Sequence, residues 1–214
     1  MRATIGRTWV ESRFEGRSRI PQGATMPQEE VAAERGDHDL NEGMLPILPL
    51  KPAAVLIPLV DRSDGITVLF TQRTAHLAHH AGQVSFPGGQ IESGDEGPAA
   101  TALRETEEEI GLDPGLVRLI GRLDTYVTRT GFTVTPVVGI VTPPFALSPD
   151  SFEVAEVFEV PLSFLFDPHN HERCSACFEG VERYFYAIRY GRHFIWGATA
   201  GMLMNFYEIA VGHR

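Results

Sequence analysis

The chain has 214 residues, 43% hydrophobic and 21% charged, which excludes collagen-like, coiled-coil and wholly disordered classes and fits one ordinary globular domain. Its 18 Lys and Arg against 28 Asp and Glu give a net charge of -10, which argues against a broad basic surface for nucleic acid. A polyphosphate ligand would then need local help, such as metal ions. Two cysteines cannot staple a chain of this length, and no apolar run reaches the ~18 residues of a spanning helix. A cytoplasmic setting without membrane attachment is the resulting expectation.

Along the chain, residues 27–50 carry Glu29, Glu30, Glu34, Asp37, Asp39 and Glu42 against Arg35 alone, with few large apolar residues before Leu45. Residues 1–50 therefore read as a flexible N-terminal arm, and the folded domain is expected over 51–214. Residues 53–60 form a continuous apolar strand, and a turn at 61–65 leads to a second strand at 66–71. The clearest helix is 98–110, opened by Pro98 and stopped by Gly111. Ala99, Ala102, Leu103, Thr106 and Ile110 make its inner face by three-and-four spacing, while Glu105, Glu108 and Glu109 cluster elsewhere. Further strands are expected at 117–127, 133–141, 154–162 and 183–190, and a closing helix at about 198–211. Strands on either side of one central helix predict an α/β fold with a mixed sheet covered on both faces.

The central helix is chemically loaded. Glu105, Glu108 and Glu109 stand at i, i+3 and i+4, so their carboxylates converge, and hard oxygen ligands of that kind suit Mg²⁺ or Mn²⁺. Upstream, Phe86-Pro87-Gly88-Gly89 is a turn through which backbone can approach a ligand closely. A second metal reading exists at His169, His171, Cys174 and Cys177, whose ligand types suit zinc. Their crowding into nine residues reads instead as a connecting loop with two free thiols.

Arg104-Glu105, Glu108-Glu109, Gly111 and Leu112, behind the Gly88-Gly89 turn, resemble the signature of the Nudix hydrolases. Five residues after Gly89 stands Asp95 where that signature has Glu, and seven residues before Arg104 stands Glu96, so the loop holds one extra residue. Which acid takes the upstream position is open at this point. The expansion is similar to the coenzyme A pyrophosphatase branch, as are Phe70-Thr71-Gln72-Arg73-Thr74 and the run 82–89. Thr128-Arg129-Thr130-Gly131-Phe132 and Trp196-Gly197-Ala198-Thr199-Ala200 agree, and Ala78 departs where the branch commonly has arginine.

The resemblance implies a Nudix α/β/α sandwich with an acidic catalytic helix. It also implies hydrolysis of coenzyme A or acyl-CoA to 3',5'-ADP and 4'-phosphopantetheine. Another nucleoside diphosphate derivative is the alternative substrate, and a non-catalytic binding module is the third reading. Glu105, Glu108 and Glu109 are implied metal ligands, with Glu153 or Glu156 as an additional one, and Arg104 orients the carboxylates. The general base is open, with Glu108 a candidate. Arg73, Gly88 and Gly89 are implied substrate contacts, and His76, His79 and His80 fall in the same loop. The expected partner is a small-molecule diphosphate, with a homodimer admitted and neither nucleic acid nor membrane expected.

Overall fold

The computed structural model describes residues 5–15, 35–77, 80–178 and 180–212. Glu29, Glu30, Glu34, Ala78 and His79 lie outside them. The chain opens with α1 (Arg7–Phe14) and β1 (Arg35–Gly36), then the hairpin β2 (Lys51–Arg62) and β3 (Gly65–Arg73). Short β4 (Val84–Ser85) and β5 (Gly88–Gln90) lead into α2 (Pro98–Ile110). There follow β6 (Val117–Arg122), β7 (Tyr126–Val127), β8 (Phe132–Val141), β9 (Val154–Pro161) and α3 (Leu162–Leu165). Finally come β10 (Glu172–Phe178), β11 (Val181–Tyr190), β12 (His193–Trp196) and α4 (Ala198–Val211).

Strand β2 is the axis of the larger, mixed sheet. It runs parallel to β8 from Lys51 opposite Phe132 to Val60 opposite Val141, and antiparallel to β3 and β5. Beyond β3 lie β4 and β9, while β6 and β7 pair with β8. The continuous apolar run in β2 has a simple cause: both of its faces are covered. Ile57 and Leu59 join Val68, Phe70, Val138 and Ile140 in a core with Leu162 and Leu165 of α3 and Leu203 and Phe206 of α4. On the opposite face Ala54 and Leu56 meet Ala102 of α2 and Val137, while Val60 and Leu69 meet Ile110 and Leu112. The result is the expected α/β/α sandwich, with α2, among the described α-helices, alone on its side. Among the described residues, no helix is long and apolar enough to cross a membrane.

Three expectations need correction. Residues 117–127 do not form one strand but β6 and β7, which break apart before Tyr126. The stretch read as a loop around Cys174 and Cys177 is β10, the edge of a three-stranded antiparallel sheet with β11 and β12. Thiols three residues apart on a strand point to opposite faces, so this pair cannot close on one ion.

The arm read as flexible is built in at two places. Val10 and Phe14, one helical turn apart, are buried in the main core, with the Phe14 ring 5.9 Å from that of Phe206. Residue Arg35 pairs beside Tyr126 in parallel register and its guanidinium bonds Glu208. The physical reason is a short apolar stripe, Val10 and Phe14, interleaved with arginines that dominate the local composition. By contrast Leu45 and Leu48 are exposed.

This packing generates a stability prediction. Phe14→Ala should cost about 3 kcal/mol or more, the ordinary range for emptying a buried aromatic site. Urea denaturation would read it as a lower midpoint with unchanged slope, and deletion of residues 1–15 should do at least as much. An unchanged midpoint would mean that α1 adds nothing to the fold.

Candidate active site

Helix α2 is delimited as its sequence requires. Gly97 enters with φ 104°, Pro98 takes the first helical position, and Gly111 ends the helix at φ 68°, its N–H donating to the Glu107 carbonyl at 2.8 Å. The buried face is Thr101, Ala102, Thr106 and Ile110 and, unlike the sequence reading, also Glu109. Ala99 and Leu103 are only half-buried.

The question of the upstream acid has a geometric answer. Asp95 receives the Arg104 guanidinium in a two-pronged bond, Nε to Oδ1 and Nη2 to Oδ2, each 2.9 Å. Its Oδ2 also accepts from the Glu92 N–H at 2.9 Å and the Thr101 hydroxyl at 2.8 Å. Arg104 holds the Asp95 carboxyl well below the usual carboxylate range, and Asp95 in turn pushes the guanidinium further up. Glu96 is exposed. The remaining nitrogen of Arg104, Nη1, lies between Glu105 at 2.9 Å and Glu108 at 3.0 Å.

The Gly88-Gly89 turn is placed against these acids. A Cβ at Gly89 would come within 2.4 Å of the Glu105 carboxyl carbon, and one at Gly88, where φ is 154°, within 2.3 Å of the Ala54 carbonyl oxygen. Only glycine lets β5 lie this close to α2. Burial raises the Glu105 carboxyl above its ordinary value against the pull of Arg104.

Glu109 is the extreme case. Burial, only partly offset by Arg73 and by the Gly88 N–H, pushes its carboxyl up to about 8. Its Oε2 is buried and has no hydrogen-bond partner, and neither does the buried Nε of Arg73. Arg73 is aimed inward where the pairing of β3 with β9 slips at Gln72/Arg73. From there Nη1 stands 3.7 Å from both Glu109 and Glu153.

Arg73 thus links Glu153 to the helix acids, whereas Glu156 bonds Arg192 at 2.6 Å and His193 at 3.3 Å. His80 bonds Gln83 at 2.7 Å, and His76 packs its ring on Phe152. Phe152 carries no periodic or motif signal in the sequence, and only its position beside Glu153 draws notice. Elsewhere His169 bonds Asp167 at 2.8 Å, His171 bonds the Leu165 carbonyl at 2.7 Å, and Cys174 and Cys177 are free thiols.

Among the described residues no three acids, histidines or cysteines stand together as a ready metal cage. Arg104 Nη1 bridges Glu105 and Glu108 where a cation would otherwise be the counter-charge. The residues nonetheless fit a divalent ion. The orphaned Oε2 of Glu109, the negative charges of Glu105 and Glu153 that act on that carboxyl, and an all-oxygen donor set suit a hard divalent cation.

Comparison with known proteins gives the family of the chain. The model of the NUDIX domain matches residues 50–174. The chain is 42% identical over 153 residues to "Uncharacterized Nudix hydrolase NudL" of Citrobacter koseri, covering 72% of this chain and 79% of that protein. The protein of that name in Escherichia coli K12 is 40% identical with the same coverage. A crystal structure of a MutT/nudix family protein from Enterococcus faecalis aligns with 98% of this chain and 76% of its own at 15% identity and a TM-score of 0.49. The family match spans more than half the chain and the relatives exceed two-thirds coverage, so the chain belongs to the Nudix family.

Proposed function

We propose that the protein hydrolyses the diphosphate bond of coenzyme A or acyl-CoA, giving 3',5'-ADP and (acyl-)4'-phosphopantetheine. One observation carries the reading. Arg73, which belongs to the run resembling the coenzyme A pyrophosphatase branch, lies 3.7 Å from Glu109 of the Nudix helix, so the branch-like residues and the family residues share one site.

In this reading Glu105, Glu108, Glu109 and Glu153 hold Mg²⁺ or Mn²⁺. Bound there, the ion neutralises diphosphate oxygens and lowers the pKa of water. The chain's own groups do the rest. Asp95 locks Arg104, and Arg104 sets the directions of Glu105 and Glu108. Arg73, whose Nη1 stands 3.7 Å from Glu109 and Glu153, brings a guanidinium to the site for a phosphate oxygen. Gly88 and Gly89 admit the substrate backbone-close. Hydrolysis adds water across the P–O–P link, and its proton needs an acceptor. Glu108 is the candidate: it is 60% exposed and bonded by Arg104, whereas burial pushes Glu109 up to about 8 and disfavours its ionised form.

Three outcomes are expected. In a panel of coenzyme A, dinucleotide cofactors and nucleotide sugars with Mg²⁺ or Mn²⁺, chromatography should show 3',5'-ADP from coenzyme A as the fastest product. Faster turnover of another member would reassign the substrate within the same chemistry. Glu108→Gln should melt like wild type yet lose about 10²-fold or more in kcat, the usual size of a lost general base. Near wild-type turnover at saturating Mg²⁺ would remove that role.

The third outcome concerns pH. Glu109 has a folded value raised to about 8 from 4.5, so the native state holds a proton that the unfolded chain releases in between. Its stabilising contribution is complete below about 4.5 and is lost as pH rises to about 8. In chelator, wild type should lose melting temperature over that window relative to Glu109→Gln. Mg²⁺ or Mn²⁺ favours the ionised carboxylate, so the melting shift caused by either ion should grow with pH in wild type and stay flat in the variant. Equal ion-induced shifts in both proteins would place Glu109 outside the ion's shell.

A further inference from the structure

Phe152 is a large apolar side chain left 63% exposed, and it stands on the loop that delivers Glu153 to the site. That loop is fastened at both ends to catalytic-side elements. The Asp150 N–H donates to the Glu109 carbonyl at 2.9 Å, and the Phe152 N–H donates to Asp150 Oδ1 at 2.9 Å. On the other side the Thr74 hydroxyl donates to the Phe152 carbonyl at 2.8 Å, and the Thr74 N–H to the Glu153 carbonyl at 2.9 Å. The ring of His76, itself exposed, packs on Phe152 with centroids 4.9 Å apart and planes inclined by 59°. The two rings thus pack on each other within a loop whose backbone is tied to Thr74, next to Arg73, and which carries Glu153, while Phe152 stays 63% exposed.

Of the other exposed apolar side chains, Leu45, Val181 and Tyr184 line a separate cleft of about 440 Å³ between residues 40–45 and the start of β11. Phe152 belongs to none of that. The site it borders is otherwise composed of charge, so an apolar surface there suits the part of a ligand that is flat and uncharged. A nucleobase has that character: it stacks on aromatic rings through either face and adds no charge to a carboxylate-rich site.

We propose that Phe152, buttressed by His76, is the stacking surface for the nucleobase of the substrate. This rests on the reading of the site as one that cleaves a nucleoside diphosphate derivative, and it extends that reading from the diphosphate to the base. Arg73 and the acids fix the phosphates, and the Phe152 ring fixes the base on the Glu153 side of them.

The test uses adenosine 3',5'-bisphosphate as the probe, titrated by calorimetry in Mg²⁺ into the full-length wild type, Phe152→Ala, Phe152→Leu and Phe152→Trp. The Ala and Leu variants should bind roughly tenfold more weakly, since each removes the π-face and Leu keeps apolar bulk. Phe152→Trp should retain affinity, and its fluorescence should be quenched by the nucleotide. Ribose 5-phosphate, which lacks the base, should bind all four proteins alike. Undiminished affinity in both Ala and Leu variants, an equal loss for ribose 5-phosphate, or no binding of the bisphosphate to wild type would overturn the proposal. Turnover of coenzyme A by wild type is scored separately. If it is present while the Phe152 variants bind as wild type does, only the stacking surface fails. If it is absent while binding still depends on Phe152 and the base, only the choice of coenzyme A fails.

Discussion

Crowded negative charge on α2 is the constraint around which the rest of the site is organised. Like charges at i, i+3 and i+4 repel by only a few tenths of a kcal/mol when solvated, but the repulsion grows as they leave water. Here Glu105 is half-buried and Glu109 nearly fully so, with Glu153 brought in from another element. Two arginines answer the problem differently. Arg104 is locked by Asp95 and spends its third nitrogen on Glu105 and Glu108, a fixed counter-charge. Arg73 stands at 3.7 Å from each of its acids, close enough to attract and too far to satisfy them.

The sheet makes this arrangement possible. Strand β2 is covered on both faces, so its position is over-determined by packing, and β5 is laid against it through Gly88 and Gly89. The missing side chain of Gly89 is what allows the Glu105 carboxylate to approach β5, because a Cβ there would overlap it, while one at Gly88 would meet Ala54 and Val55 of β2. The slip in pairing at Gln72/Arg73 supplies the other half of the geometry. It turns Arg73 toward α2 from a strand whose preceding residues, Val68 to Phe70, are core. A rigid interior thus holds charged groups in positions that they would not choose for themselves.

Much of this was legible in the sequence, for definable reasons. Pro98 and Gly111 marked both ends of α2 because capping chemistry is local, and the 53–60 run announced a strand buried on two faces because no polar residue interrupts it. The carboxylates at 105, 108 and 109 and the glycines at 88 and 89 could be grouped by spacing alone. What spacing could not supply was burial. Glu109 lies on the boundary between the acidic and apolar faces of α2, and only the closeness of Arg73 and Gly88 decides that it turns inward. Asp95 and Glu96 are adjacent acids, and the choice between them is made by the loop's path to Arg104. β10 was missed because Cys, Ser and Arg give its edge a weak apolar alternation. Helix α1 was missed because two buried residues among several arginines do not shift composition.

Three buried side-chain atoms among the described residues have no hydrogen-bond partner, and two of them belong to the candidate site. A buried carboxylate oxygen and a buried guanidinium nitrogen without partners each carry a desolvation penalty of about 1–3 kcal/mol, and here they sit side by side at Glu109 and Arg73. Replacing both by apolar groups of similar shape would remove that penalty, as for buried ion pairs generally. The surrounding core has no such defects of its own: Phe70, Phe206 and Leu56 are fully buried among apolar neighbours. Two of the three such atoms among the described residues thus fall in one cluster, the third being Nε of Arg35 beside Glu208. Ion and counter-ion are paired in that cluster at a distance: Arg73 offsets part of the burial that raises the Glu109 carboxyl, and it does so from 3.7 Å.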